Sequence, residues 1–172
     1  MHEDTLKKIR CFDEVKDLLV SVGLFDFAFT PLPSYQSLIV ESLSSYTLQS
    51  RTIDDDNLYF SMRFKLGGRD RFMTSQEFDS LFGFSQEGHV QVKANWHPWT
   101  FWNEIKAPNA PNFSAGHTKA SHIKSKALWY AHHFLTYSIN GRAMSNKALS
   151  LDDLFILYCM VHKELIALGR FV

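Results

Sequence analysis

Leu154-Phe155-Ile156-Leu157-Tyr158-Cys159-Met160-Val161 is the stretch that most narrows what this chain can become. It carries no charge and follows Ser150-Leu151-Asp152-Asp153, whose hydroxyl and carboxylates suit a helix N-terminus. A helix that is apolar nearly all round cannot lie on a surface. It needs neighbours on every side, so the sequence predicts further helices packed around it. At 172 residues the chain is long enough to supply them and bury a sizeable core.

The remaining patterns supply that shell. Leu6, Ile9, Phe12, Val15, Leu19 and Val22 recur at helical spacing from about Thr5 to Val22, and Gly23 closes the run. Thr30-Pro31-Leu32-Pro33 breaks the chain, and Ser34 is placed to cap a second helix reaching about Leu48. Tyr35, Leu38, Ile39, Ser42 and Leu43 form its expected inward stripe. After the turn Asp54-Asp55-Asp56-Asn57 the period changes to two. Leu58, Phe60, Met62, Phe64 and Leu66 alternate with Tyr59, Ser61, Arg63 and Lys65, which predicts a half-buried strand. Gly67-Gly68 turns it back through a partner strand from Arg69 to Met73.

Thr74-Ser75-Gln76-Glu77 is a capping box for a helix carrying Phe78, Leu81 and Phe82 and ending at Gly83. Pro98 sits early in a short helix within the aromatic group Trp96, Trp99, Phe101 and Trp102. Pro108 to Ser121 reads as a loop, and Ser121 to Ile139 as a long helix ended by Asn140-Gly141. Ile123, Ala127, Leu128, Ala131, Phe134, Leu135, Ser138 and Ile139 share its core face, with Lys126, Tyr130, His133 and Tyr137 opposite. The expected fold is mostly α (α+β): about six helices around the central apolar helix, with one small β-hairpin. No linker divides residues 1–172, so a single domain is expected. Its close at Leu168-Gly169-Arg170-Phe171-Val172 carries no stop signal, which gives the expectation of an excerpt of a longer polypeptide.

Charge is balanced overall, 18 basic against 18 acidic residues, which argues against a global polyanion-binding protein. It is unevenly distributed. Between Ile105 and Leu151 no acidic residue occurs, while Lys106, Lys119, Lys124, Lys126, Arg142 and Lys147 do. Lys119, Lys124, Lys126, Arg142 and Lys147, interleaved with Trp129 and His133, form the candidate nucleic-acid surface: cations for phosphates, rings for bases. The plain alternative is a solvated helix face. The tryptophans at 96, 99 and 102 read as a core cluster or, if exposed, as a protein interface.

Catalytic and metal readings fare worse. His117, His122, His132 and His133 lack the ligand spacing of a zinc site, and adjacent helical residues point about 100° apart. Cys11 and Cys159 sit among apolar neighbours, where burial raises a thiol pKa and reduced, packed thiols are expected. Asp54-Asp55-Asp56 reads as a solvated turn, and no GxSxG, HExxH or phosphate-binding Gly-rich loop occurs. No catalytic residue, metal or cofactor is therefore assigned, and no small-molecule substrate is implied. No apolar run spans a bilayer, and Met1-His2-Glu3-Asp4 opens neither a signal nor a transit peptide, so a cytoplasmic or nuclear location is expected.

Several segments together resemble the protein encoded by the first reading frame of Athila-like plant retrotransposons, and the related putative plant transposon proteins. They are Phe60 to Leu66 before the Gly-Gly turn, Glu77-Phe78-Asp79-Ser80-Leu81-Phe82-Gly83-Phe84, and Trp96 to Ile105. Leu128 to Leu135 with Asn140-Gly141-Arg142, Asp152 to Met160 and Leu168-Gly169 complete the match, which runs from about Leu24 to the end. The resemblance implies a non-enzymatic, gag-like structural or interaction domain, with self-association or element RNA or DNA as partners. The alternatives are a nucleic-acid-binding module using the basic 106–147 stretch and a domesticated host regulatory protein. The CCHC zinc knuckle that many gag proteins carry is not in this sequence.

Overall fold

A computed structural model describes residues 3–30, 35–54, 57–139 and 148–168, with side chains left aside at 50–59. The chain forms α1 (Glu3–Lys8), α2 (Phe12–Ser21), α3 (Phe25–Phe29), α4 (Gln36–Ser45), β1 (Thr47–Asp54), β2 (Asn57–Leu66) and β3 (Arg69–Thr74). It continues with α5 (Ser75–Phe82), α6 (Pro98–Ile105), a 3₁₀ turn (Ala120–His122), α7 (Lys126–Phe134), a π-helical turn (Leu135–Ile139) and α8 (Leu151–His162). The fold is mostly helical and α+β, as the periodicities predict.

Helix α8 is the centre of the core. Ser150 caps it by accepting the Asp153 N–H at 3.0 Å, while Asp153 accepts the Ser150 N–H at 3.0 Å. Leu154, Phe155, Ile156, Leu157, Cys159 and Met160 are all buried, against α2, α6 and α7. Trp102, on the buried side of α6, is fully covered and donates its indole N–H to the Pro111 carbonyl at 2.9 Å. That bond helps fix the 108–121 loop, which Gly116 also ties to Leu149.

Four expectations need correcting. The run from Thr5 to Val22 is two helices, not one. Arg10 takes a left-handed conformation (φ 58°), with Cys11 N–H bonded to Leu6 O and Arg10 N–H to Lys7 O, both at 3.1 Å. This closure is unusual without glycine, at a cost of about 1–2 kcal/mol. Burial of Leu6 and Cys11 at the corner offsets it.

The second helix stops at Ser45, and Thr47 starts a strand that pairs antiparallel with β2, making a three-stranded sheet of order β1-β2-β3. In β1 the apolar Leu48 and Ile53 have opposite parity, so no alternation announces it. The expected inward stripe of α4 is also not buried: Tyr35, Ile39 and Leu43 are exposed, and α4 has no buried residue.

The segment 121–139 is a 3₁₀ turn, a helix capped by Ser125, and a π turn. Ile123, Ala127, Leu128, Ala131, Phe134 and Leu135 are buried as expected, but Ser138 is exposed, and His132 and Thr136 are buried instead. The wider π turn rotates the inward face by about one residue. Asn140-Gly141, Ser34 and Asp55-Asp56 lie outside the described residues.

Candidate functional site

Five of the seven predicted site residues are in described segments; Arg142 and Lys147 are not. Ser125 accepts the Leu128 N–H and sets Lys126 at the exposed start of α7. From there Trp129, His133 and Tyr137 climb one side of the helix. The Trp129 and His133 rings stack at 5.1 Å, and His133 and Tyr137 lie 4.4 Å apart. Trp129 also meets Tyr130 edge-on at 4.8 Å. Trp129 and His133 are half-buried, so their ring faces are spent largely on one another. Lys124 turns aside: its Nζ donates to the Glu104 carbonyl at 2.6 Å and its N–H to Ile105 O at 2.9 Å, holding it against α6. Lys119 is exposed just before the 3₁₀ turn. The structure thus brings together Lys126, Trp129 and His133, and separates Lys124 from them.

Two polar groups inside the fold are structural in their geometry. His132 Nε2 lies 3.6 Å from Asp153 Oδ2, and the Thr136 hydroxyl donates to the His132 carbonyl at 2.9 Å. Burial would raise the Asp153 carboxyl pKa. Hydrogen bonds from His132 and from Ser150 outweigh it and hold the value down at about 2. With side-chain exposures of 3 % and 0 %, the pair offers no surface to a substrate; it joins α7 to the N-terminus of α8. Cys159 is equally enclosed, and burial pushes its thiol up to about 12, which leaves it unreactive.

The second group was not legible in the sequence. Glu164 accepts from Lys93 Nζ at 2.7 Å and Tyr158 OH at 2.8 Å, and lies 2.9 Å from His89 Nε2. The Lys93 bond, with those from Tyr158 and His89, lowers Glu164 to about 2 against the opposing effect of burial. This cluster clamps the 89–93 segment onto the end of α8. Gly88 makes the clamp possible: at φ 110° its Cα lies so close to the Leu165 backbone that a Cβ would not fit. No spacing rule could reveal partners 71 and 75 residues apart.

The surface that sequence reasoning missed is on α4. Its charged residue, Glu41, grips the β2–β3 turn, accepting the Gly67 and Gly68 N–H groups at 2.7 Å each. Ser45 accepts the Lys65 N–H at 2.7 Å. Polar bonds therefore seat α4 on the sheet, and its apolar side is left outward: Tyr35 is 63 %, Val40 59 % and Leu43 71 % exposed. Beside it a cleft of about 230 Å³ opens between α4, the sheet and α5, with Leu43, Tyr46, Phe64, Met73 and Leu81 among its walls. The core tryptophans divide similarly: Trp102 is buried, Trp96 packs edge-on at 5.1 Å from Phe155, and Trp99 is 58 % exposed.

Among the described residues no cluster of three or more His, Cys, Asp or Glu is arranged to hold a metal ion. No helix among them is long and apolar enough to cross a membrane. No curated protein and no solved structure matches the chain. The model of the ATHILA ORF-1 family does match, over residues 1–159, a span that takes in the sheet, the α7 ladder and the central helix as far as Cys159. The chain therefore belongs to the ATHILA ORF-1 family.

Proposed function

We propose that this domain works without catalysis, as a gag-like structural module of a retroelement that associates with further copies of itself through α4. The observation that carries the reading is the outward face of α4. Tyr35, Ile39, Val40 and Leu43 are exposed on a helix whose one charge is already bound to the sheet turn. A twofold contact sets each residue against a copy of the same surface, so a face without charge pairs with itself at no repulsive cost. An apolar face of this kind marks an interaction site more than a solvated one. The His132–Asp153 and Glu164 groups support the non-catalytic part, because their hydrogen bonds serve packing between elements.

The test is mass in solution by light scattering across a concentration series. Wild type is expected to form dimers or larger species, and Leu43→Glu to be monomeric with an unchanged circular dichroism spectrum. A wild-type chain that stays monomeric at its highest soluble concentration overturns the reading.

Nucleic-acid binding by the basic stretch is the second reading, favoured by Lys126 standing beside the Trp129–His133–Tyr137 ladder. It predicts binding that weakens steeply with salt and is lost in Lys124→Glu with Lys126→Glu.

A further inference from the structure

The sheet has two unlike faces. The register pairs Met62 with Met73 and with Leu48. Met62, Phe64 and Met73 line the cleft under α4 and α5, so this face is the covered one. Its alternates point the other way: Arg63 opposite Phe72 and Lys65 opposite Asp70. Arg63 and Lys65 are exposed, and Phe72 is 57 % exposed, so nothing among the described residues covers this second face.

Its chemistry is unusual for a bare sheet face. Arg63 lies over the Phe72 ring at 5.9 Å, and both line an open hollow of about 480 Å³ with Arg71 and Asp70. On this face Arg63 and Lys65 stand against Asp70, and Arg71, which the register sets opposite Phe64 on the other face, lines the hollow from the edge strand β3. Among the described residues none of Arg63, Lys65 and Arg71 forms an ion pair. A phenylalanine left open to water on the edge strand β3 is costly, and covering it with another planar ring is favourable.

From this juxtaposition we infer that the open face of the sheet is a single-stranded nucleic-acid platform, with a base stacked at Phe72 and Arg63 and adjacent phosphates held by Lys65 on the same face and by Arg71 at the rim of the hollow. The chemistry required is a polyanion whose planar rings are free to leave their own stack, which a duplex does not offer. Arginine serves both halves of it, pairing with phosphate and stacking on rings. No base edge is read by hydrogen bonds here, so binding tolerates any sequence. The platform lies across the sheet from α4, and its occupation is independent of self-association.

The test is fluorescence anisotropy of labelled oligo-U and oligo-dT, each about 15 nucleotides, at low and moderate salt, with the intact chain and its Leu43→Glu variant. Both oligonucleotides are expected to bind, more weakly as salt rises; a preference for oligo-U adds a contact to the 2′-hydroxyl, and equal affinity leaves stacking and phosphate alone. Arg63→Glu and Arg71→Glu are each expected to weaken binding at least about tenfold. Phe72→Ala is expected to weaken it at least about fivefold, and Phe72→Trp to keep it, a rescue that a purely structural Arg63–Phe72 pair would not produce. Thermal melts of each variant separate lost binding from lost folding. Absence of binding at low salt, or binding indifferent to Arg63→Glu and Phe72→Ala, overturns the proposal. So does binding that only Lys124→Glu with Lys126→Glu removes, which assigns the ligand to α7.

Discussion

Helices α8 and α4 are written in much the same alphabet and end in opposite places. Both are rich in Leu, Ile and Val, and each has almost no charge in its interior. Yet α8 buries Leu154, Phe155, Ile156, Leu157, Cys159 and Met160, and α4 buries none of its residues. The difference lies in what else each helix can bond to. The polar groups of α8 are gathered at its cap, where Ser150 and Asp153 satisfy each other, so the rest can enter the core whole. The polar groups of α4 are spread along one side. Glu41 and Ser45 find backbone donors on the sheet, and that side becomes the attached one. A helix faces its strongest partner, which need not be the apolar one.

Substitutions along the two helices sharpen or break this contrast. Leu157→Ala should have the largest effect, a loss of about 2–5 kcal/mol in urea unfolding, because a fully buried leucine leaves a cavity. A loss under about 1 kcal/mol would mean α8 is not the centre of the core. Asp153→Ala should follow at about 2–4 kcal/mol, combining a lost cap with an unsatisfied buried His132.

The same carboxyl sets an acid limit. Its value falls on folding from 3.8 to about 2, so its contribution is complete above pH 3.8 and is lost as pH drops towards 2. Glu164, lowered from 4.5 to about 2, loses its contribution over the window that opens at 4.5. Stability measured from pH 5 to 2 should therefore fall steadily in wild type and less steeply in Asp153→Asn. Equal slopes would deny the carboxylate its role.

On α4 the expected order reverses polar and apolar. Glu41→Ala should cost about 1 kcal/mol by freeing the helix from the Gly67–Gly68 turn, a modest figure because the bonds are exposed. Leu43→Ala, measured on the monomer at low concentration, should stay within about 0.5 kcal/mol. A larger cost for Leu43→Ala than for Glu41→Ala would erase the contrast. Lys126→Glu, at the exposed start of α7, should likewise change stability by less than about 0.5 kcal/mol.

Legibility in the sequence followed the range of the interaction. The Thr74–Glu77 capping box, the Gly67-Gly68 turn, Pro98 at the start of α6 and the Ser150 cap act within a few residues, and each is where the pattern puts it. The alternation of Leu58 to Leu66 announces β2, but its second partner, β1, has no alternation, and the pattern marks no strand there. The Arg10 corner lacked the glycine or proline that marks such turns. The candidate site divided on the same line. Trp129 and His133, four apart on one helix, meet through helical spacing alone, whereas the Lys124 bond to Glu104 and the Arg63–Phe72 pair depend on segments joined by folding.

The sequence by itself determined that residues 154–161 must be enclosed, that helices must do the enclosing, and that one glycine-turned hairpin interrupts them. Those outcomes follow from periodicity and from local capping bonds, which a chain carries wherever it goes. Only the tertiary structure decided which apolar helix remains outside and which face of the sheet stays bare. Both depend on where β2, beyond its last pairing with β1, and the β2–β3 turn present unpaired backbone groups to the segments that fold against them. Such groups must be satisfied before apolar surface is divided between core and solvent, and no linear pattern records which distant residue will satisfy them.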